Sequence, residues 1–253
     1  MKRAFEFIDE KSHKFWWIET SENKFVVNYG KIDSIGKYEI KEWDSVEECE
    51  KQAAKLINSK IRKGYKEVNF DYNNHYYFDD VEYDIDFLTS HPNFREHFTD
   101  EQLYCNCGDE ETPFGSDTGN DVLHIIEEKI RKNKNFSFVD FPKCLLEKEW
   151  GIEYFEPILV TDEKVFAEEL KIKDKGLSRE AIINESDEVV IATAFAQIKI
   201  TGKIDEELKE KALLSLKRVE LIAKICGYGE SEINKQLYND LESFTNKENI
   251  KLN

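Results

Sequence analysis

A chain of 253 residues with 40% hydrophobic and 13% aromatic content has enough apolar surface for a core and is long enough for two domains, which excludes a disordered chain. Its net charge of −17 excludes a protein that is basic all over, and no apolar run approaches the ~18 residues of a membrane span. The first residues, Met1-Lys-Arg-Ala-Phe-Glu-Phe, lack the apolar core of a secretory signal, and the cysteines (Cys49, Cys105, Cys107, Cys144 and Cys226) are odd in number and scattered. Reduced thiols, a cytoplasmic location and no membrane contact are the expectation.

The charge is unevenly placed. Residues 1–70 hold 14 Lys+Arg against 13 Asp+Glu, whereas the remainder holds 22 against 40, so the chain is electrostatically in two parts. The acidic remainder repels phosphate, and any nucleic-acid contact, to DNA or RNA, is expected to be local to residues 1–68 and sensitive to salt.

In chain order, Phe5-Glu-Phe-Ile8, Phe15 to Thr20, Lys24 to Lys31 and Lys37 to Trp43 are short β-rich runs separated by polar or Gly turns, which predicts an antiparallel sheet. Asp44 or Ser45 ahead of Glu47-Glu48 is an N-capping pattern, and Val46, Cys49, Ala53, Leu56, Ile57 and Ile61 fall on one helical face. One helix across the sheet follows. From Asn69 the composition turns to Asp, Asn and Tyr without clear periodicity, so residues 69–92 are read as an aromatic and acidic connecting segment lying against one of the domains and open to proteolysis.

Beyond it, Asn120 or Asp121 is the expected cap of a helix carrying Val122, Ile125, Ile126 and Ile130, fed by the loop Thr112-Pro-Phe-Gly-Ser-Asp-Thr-Gly119, whose Gly115 and Gly119 are expected at positive φ. Asp140-Phe-Pro-Lys143 opens a short helix ending near Trp150-Gly151, Asp162 caps another through Leu170, and Leu208, Ala212, Leu216, Val219 and Ala223 line a long one. The run Val189 to Ile200 mixes β-branched residues with alanines and is read as helix, with Asn184 or Ser186 as cap candidates. A last helix from Ser231 buries Ile233, Leu237 and Leu241. The fold class is therefore α+β: a sheet with one packed helix over residues 1–68, the segment 69–92, a mainly α acidic domain over 93–245 and a polar tail at 246–253.

Strand alternation puts Tyr29 and Lys31 on one side of the sheet, a ring beside a cation. Together with Phe15-Trp16-Trp17, Trp43-Asp44-Ser45 and the basic helix end Lys60-Ile-Arg-Lys-Gly-Tyr65, the order Tyr29-Gly30-Lys31 resembles the WGR domain. That domain is named for a Trp-Gly-Arg triplet and occurs in DNA-damage-sensing poly(ADP-ribose) polymerases and in bacterial proteins such as the molybdate metabolism regulator. The resemblance covers about residues 1–68 and implies a binding or regulatory module. It implies that Tyr29 and Lys31 take the roles of the Trp and Arg near DNA, with Gly30 allowing tight backbone. Two of three positions differ, and lysine loses arginine's bidentate fork. Supporting cations are Lys14, Lys24, Lys37, Arg62 and Lys63, with Glu39, Glu42 and Glu47 among them. A protein partner is the other occupant this face would suit. The loop 112–123 and Ala192 to Gly202 also resemble the uncharacterised YfeS-like bacterial family over roughly residues 78–228, which brings no activity with it.

Two further sites are weighed against blander readings. The loop before the predicted helix combines a helix N-terminus with Asp109, Glu110, Glu111, Asp117 and Asp121, and helical spacing brings Asp117, Asp121 and His124 together for acid–base or ligand chemistry. Turn and cap chemistry alone explains the same residues. Cys105-x-Cys107 with His91, His97 and His124 is a weak zinc pattern, so neither a metal nor a cofactor is expected. No Walker loop, dinucleotide fingerprint, nucleophile elbow or His-Glu-x-x-His is present, and nothing resembles an ADP-ribosyl transferase domain. Binding is favoured over catalysis, the alternatives being an enzyme centred on 112–124 and an acidic, immunity-type interaction module.

Overall fold

The first forty residues fold as a meander of β1 (Lys2–Ile8), β2 (His13–Ser21), β3 (Lys24–Lys31) and β4 (Lys37–Glu42), after which α1 (Val46–Arg62) crosses the sheet and β5 (Lys66–Val68) returns beside β1. The strand order is β4-β3-β2-β1-β5, and every pairing is antiparallel. The computed structural model describes residues 1–83, 85–105, 108–133, 135–174 and 176–247, and it falls into two compact units, Met1–Arg95 and Glu96–Asn253. Cys107 of the C-x-C pair and residues 248–253 of the polar tail lie outside the described residues.

In the first unit the strand β2 dictates the layering. Trp16 and Ile18 point to one face and Phe15 and Trp17 to the other, and all four are buried, so this antiparallel sheet has no solvent side. Helix α1 covers the first face, packing Cys49, Ala53 and Ile57 on Phe5, Trp16, Ile18, Phe25 and Val27. Ser45 starts it, its hydroxyl accepting from the Glu48 amide at 3.2 Å.

The second face is covered by residues 69–95. Phe70 and His75 lie on Phe15 at 5.7 and 5.6 Å between ring centroids, and Tyr72 and Tyr77 lie on Trp17 at 5.7 and 6.0 Å. The Tyr38 hydroxyl donates to the Tyr76 carbonyl at 2.7 Å, and the Asp80 carboxylate accepts from the Ile40 amide at 2.8 Å, which satisfies a donor on the edge strand β4. Arg95 closes the layer with a two-bonded contact to Glu19, 3.0 Å on each side. The segment expected to connect two domains is thus the second packing layer of the first. No period marks it because its aromatic side chains are carried by irregular chain and short 3-10 turns (Tyr72–Asn74, Phe87–Thr89).

The second unit is mainly helical. After α2 (Pro92–His97), within which the division between units falls, come α3 (Glu101–Tyr104) and α4 (Asp117–Lys132). Next is α5 (Phe141–Cys144), which runs on as a π-helical turn, Leu145–Trp150, and stops at the left-handed Gly151. Then follow α6 (Glu163–Leu170), the short pair β6 (Lys173–Asp174) and β7 (Leu177–Ser178), and the long helices α7 (Arg179–Thr201), α8 (Glu206–Cys226) and α9 (Glu232–Ser243). Helix α7 contacts α4, α5, α6 and α8 and is buried without a break from Val189 to Ile200, which is why its sequence shows apolar residues all round. Its cap is Ser178, accepting from the Ala181 amide at 3.1 Å, rather than Asn184 or Ser186; the helix simply starts earlier. Inside, Arg218 pairs with buried Asp187 at 2.8 Å and donates to the carbonyls of Phe155 and Glu156, tying the irregular stretch after Gly151 to the core. Among the described residues no helix is long and apolar enough to cross a membrane.

The layering sets an expectation for fragments. Residues 1–95 should unfold in one cooperative thermal transition by circular dichroism. Residues 1–71 should bind a hydrophobic dye and melt without cooperativity, because Phe15, Trp17 and Tyr38 lose their cover. Equal cooperativity in both fragments would contradict the two-layer account.

Candidate functional site

The end of β3 is shaped by a loop that folds back on it. Ser34 donates to the Lys31 carbonyl through its amide and its hydroxyl, at 3.0 and 2.7 Å, with Asp33 held at a φ of 67°. A Cβ on Gly30 would stand 2.7 Å from Ser34 Oγ and 2.9 Å from the Gly36 Cα, so the middle residue of the Tyr29-Gly30-Lys31 triplet is glycine for close approach, its φ being ordinary. Gly36 has both requirements: a φ of +79° and a would-be Cβ 2.7 Å from Phe15. The loop is also held from below. Buried Asn28 donates through Nδ2 to the Ile35 carbonyl at 3.1 Å, which leaves its Oδ1 to accept from His75 Nε2 at 3.0 Å. Burial lowers His75 from 6.5 to about 4, so it is neutral there.

Around this loop the cations divide into two groups. Lys14 and Lys31 are directly opposed across β2 and β3, on the same face as Tyr29, and both are exposed. Such opposed residues stand ~5 Å apart at Cβ, where like charges repel. Among the described residues neither they nor Arg62 and Lys63, at the end of α1, pair with a carboxylate. Lys60 joins the two sets, with Nζ over the rings of Trp16, Tyr65 and Tyr29 at 5.1, 5.2 and 5.8 Å. Burial, then the charge of Lys63, lowers its pKa. Lys63 and Arg62 also line a shallow depression of about 350 Å³ along α1, with Lys55, Asn58 and Ser59.

The remaining predicted cations are spoken for. Lys37 pairs with Glu39 at 2.9 Å, and the same carboxylate accepts from the Tyr29 hydroxyl at 2.6 Å. That hydrogen bond, more than burial, raises the tyrosine's pKa. Tyr29 is therefore half-buried, fixed at its tip and faced by Lys60. Lys24 points to the opposite sheet face and pairs with Asp86 at 2.5 Å. The pattern gave Lys14, Lys31, Arg62 and Lys63; it did not single out Lys60, which the i to i+4 relation with Leu56 in an amphipathic helix could have aimed at the Trp16 face.

In the second unit, the turn before α4 differs from expectation in its cap and its glycines. Ser116 is the cap, accepting from the Gly119 amide at 2.9 Å, and its hydroxyl also bonds Glu188. Neither Gly115 nor Gly119 has positive φ. They are required by crowding, since a Cβ would lie 2.0 Å from the Asp109 carbonyl oxygen at Gly115 and 2.4 Å from the Pro113 carbonyl oxygen at Gly119. Asp117, Asp121 and His124 share the exposed side of α4, away from the lining of the cavity in this unit. That cavity, of about 250 Å³, opens between residues 110–113, α7, α8 and α9. Among the described residues no group of His, Cys, Asp or Glu is arranged to hold a metal ion.

Known proteins resemble this chain over its first residues and over nearly its whole length. The WGR domain family matches residues 1–71. The uncharacterised protein YfeS of Escherichia coli is 44% identical over 248 residues, covering 96% of this chain and 98% of its own length. Protein YehF of the same organism is 38% identical over 65 residues, 26% of this chain and 24% of its own. A crystal structure of a protein from Bacteroides fragilis is 27% identical, covers 51% of this chain and 39% of that one, and has a TM-score of 0.27.

Two outcomes are expected. Neutral His75 binds a proton less readily folded than unfolded, so the first unit should lose stability as pH falls from 6.5 toward 4, by about 3 kcal/mol for this group. His75→Gln, which keeps a donor for Asn28, should flatten the acid limb of the 1–95 melting temperature; an unchanged limb would contradict the assignment. Gly115→Ala should destabilise the full chain by about 3 kcal/mol in chemical unfolding through crowding alone, and a neutral result would show that the Asp109 turn yields freely.

Proposed function

The chain belongs to the family of the uncharacterised Escherichia coli protein YfeS and begins with a WGR domain, and from that premise we propose that its first unit binds nucleic acid by the phosphate backbone at the end of β3. The observation that carries this reading is the opposed pair Lys14 and Lys31, exposed and without a carboxylate among the described residues. Two ammonium groups side by side are unfavourable alone and become favourable when an anion lies across them. Lys60, Lys63 and Arg62 extend the positive strip toward the α1 depression, which gives a track rather than a point.

In this reading Tyr29 serves by holding Glu39 and flanking Lys60, and the phosphate is met by lysine ammonium groups. The ring thus positions charge beside the phosphate, with its hydroxyl engaged by Glu39. Gly30 lets the 32–36 loop close against β3, which holds Lys31 at the strand end. The acidity of the rest of the chain limits contact to this strip, so affinity is modest and steeply dependent on salt.

The test is a titration of the full-length protein with duplex DNA ends and with RNA at several low salt concentrations. Lys14→Gln with Lys31→Gln should reduce the salt slope by about two phosphate equivalents and weaken binding to all sequences alike. Tyr29→Phe should change affinity little. Absence of binding to DNA and RNA at low ionic strength would overturn the proposal and turn attention to a protein partner on the same face.

A further inference from the structure

The cavity of the second unit has an aliphatic floor, formed by Ile191 of α7, Leu216, Val219 and Ile222 of α8 and Leu237 of α9. Asn184, Tyr228, Ser231 and Asn234 add neutral polar groups, and the charged groups are all carboxylates. Glu188 of α7 reaches in half-buried, while Glu110 and Glu111 stand exposed at the rim. No lysine, arginine or histidine lines it among the described residues. Glu188 accepts from the Ser116 hydroxyl, and burial, with the charges of Glu185 and Glu110 behind it, holds its carboxyl above the usual range. A carboxylate in that position gains from a positive neighbour, and none lines the cavity.

We infer that this cavity binds a small organic amine, its apolar body on the aliphatic floor and its ammonium group beside Glu188 and the rim carboxylates. Size, charge and donor geometry each narrow the class. An apolar cavity of roughly 150 Å³ accepts benzene, so about 250 Å³ leaves room for a ring or branched chain with a short aminoalkyl arm. An anion would meet three carboxylates and no cation, and a neutral body of the same shape would leave Glu188 as it is. A bare divalent cation is disfavoured because the acids do not converge on one point.

The experiment is calorimetric titration of the full-length protein with 2-phenylethylamine, 2-phenylethanol and 3-phenylpropionate. The amine should bind saturably, the alcohol about tenfold or more weakly, and the carboxylate not at all. Glu188→Gln, which retains an acceptor for Ser116, should bring the amine down to the level of the alcohol and leave the alcohol unchanged. Val219→Trp should abolish binding of both by filling the floor. Should Glu188→Gln fail to fold, Glu110→Gln with Glu111→Gln at the exposed rim should lower the amine-to-alcohol ratio in the same direction. No saturable amine binding, equal binding of amine and alcohol, or a ratio unmoved by these variants would overturn the proposal. None of these readings depends on nucleic acid.

Discussion

An element that is apolar on every side must be covered on every side, and both units of this chain are built around one. In the first unit it is β2, where Phe15, Trp16, Trp17 and Ile18 are buried in succession and present aromatic surface to both faces of the sheet. In the second it is α7, buried continuously from Val189 to Ile200. Burying such residues contributes ~1.5–3 kcal/mol for each large side chain, so a single covering layer would forgo a large part of the core. The antiparallel sheet therefore carries two layers where one is usual, and α7 is enclosed by α4, α5, α6 and α8.

The second layer does more than bury rings. His75 sits in it, and through Asn28 it reaches the loop that closes over Gly30 and sets Lys31 at the end of β3. The candidate phosphate site is thus supported from the far face of the sheet by a segment outside the 1–71 family match. Its rigidity follows from filled space: Gly30, Gly36 and Ser34 meet at distances that leave no room for a Cβ. The site itself is small and positive within a strongly acidic chain, which favours selective, salt-sensitive contact over general adhesion.

The sheet, α1 and the long C-terminal helices were legible because alternation, capping residues and helical spacing are local signals. Ser45, Asp162 and Ser231 cap the helices the sequence assigns to them. The role of residues 69–95 was not legible, since aromatic residues on irregular chain carry no period and their partners lie fifty positions earlier. Ser116 and Ser178 were passed over as caps because Asn120, Asp121, Asn184 and Ser186 are equally good capping residues one turn or more inside their helices. At the site, alternation correctly put Tyr29 and Lys31 on one face. What alternation could not give was the neighbour of each: Glu39 at the Tyr29 hydroxyl, Asp86 at Lys24, and Lys60 among three rings. Asp117 and Asp121 lie on the exposed side of α4, and composition does not say which residues line a cavity.

The claim that the lysine strip at the end of β3 is the working surface is tested most directly by hydrogen exchange of the full-length protein with and without a short DNA duplex. The account predicts slowed exchange confined to residues 13–16, 30–37 and 58–64, fading as salt is raised. Slowing elsewhere with these segments unchanged, or no slowing at low salt, would contradict it.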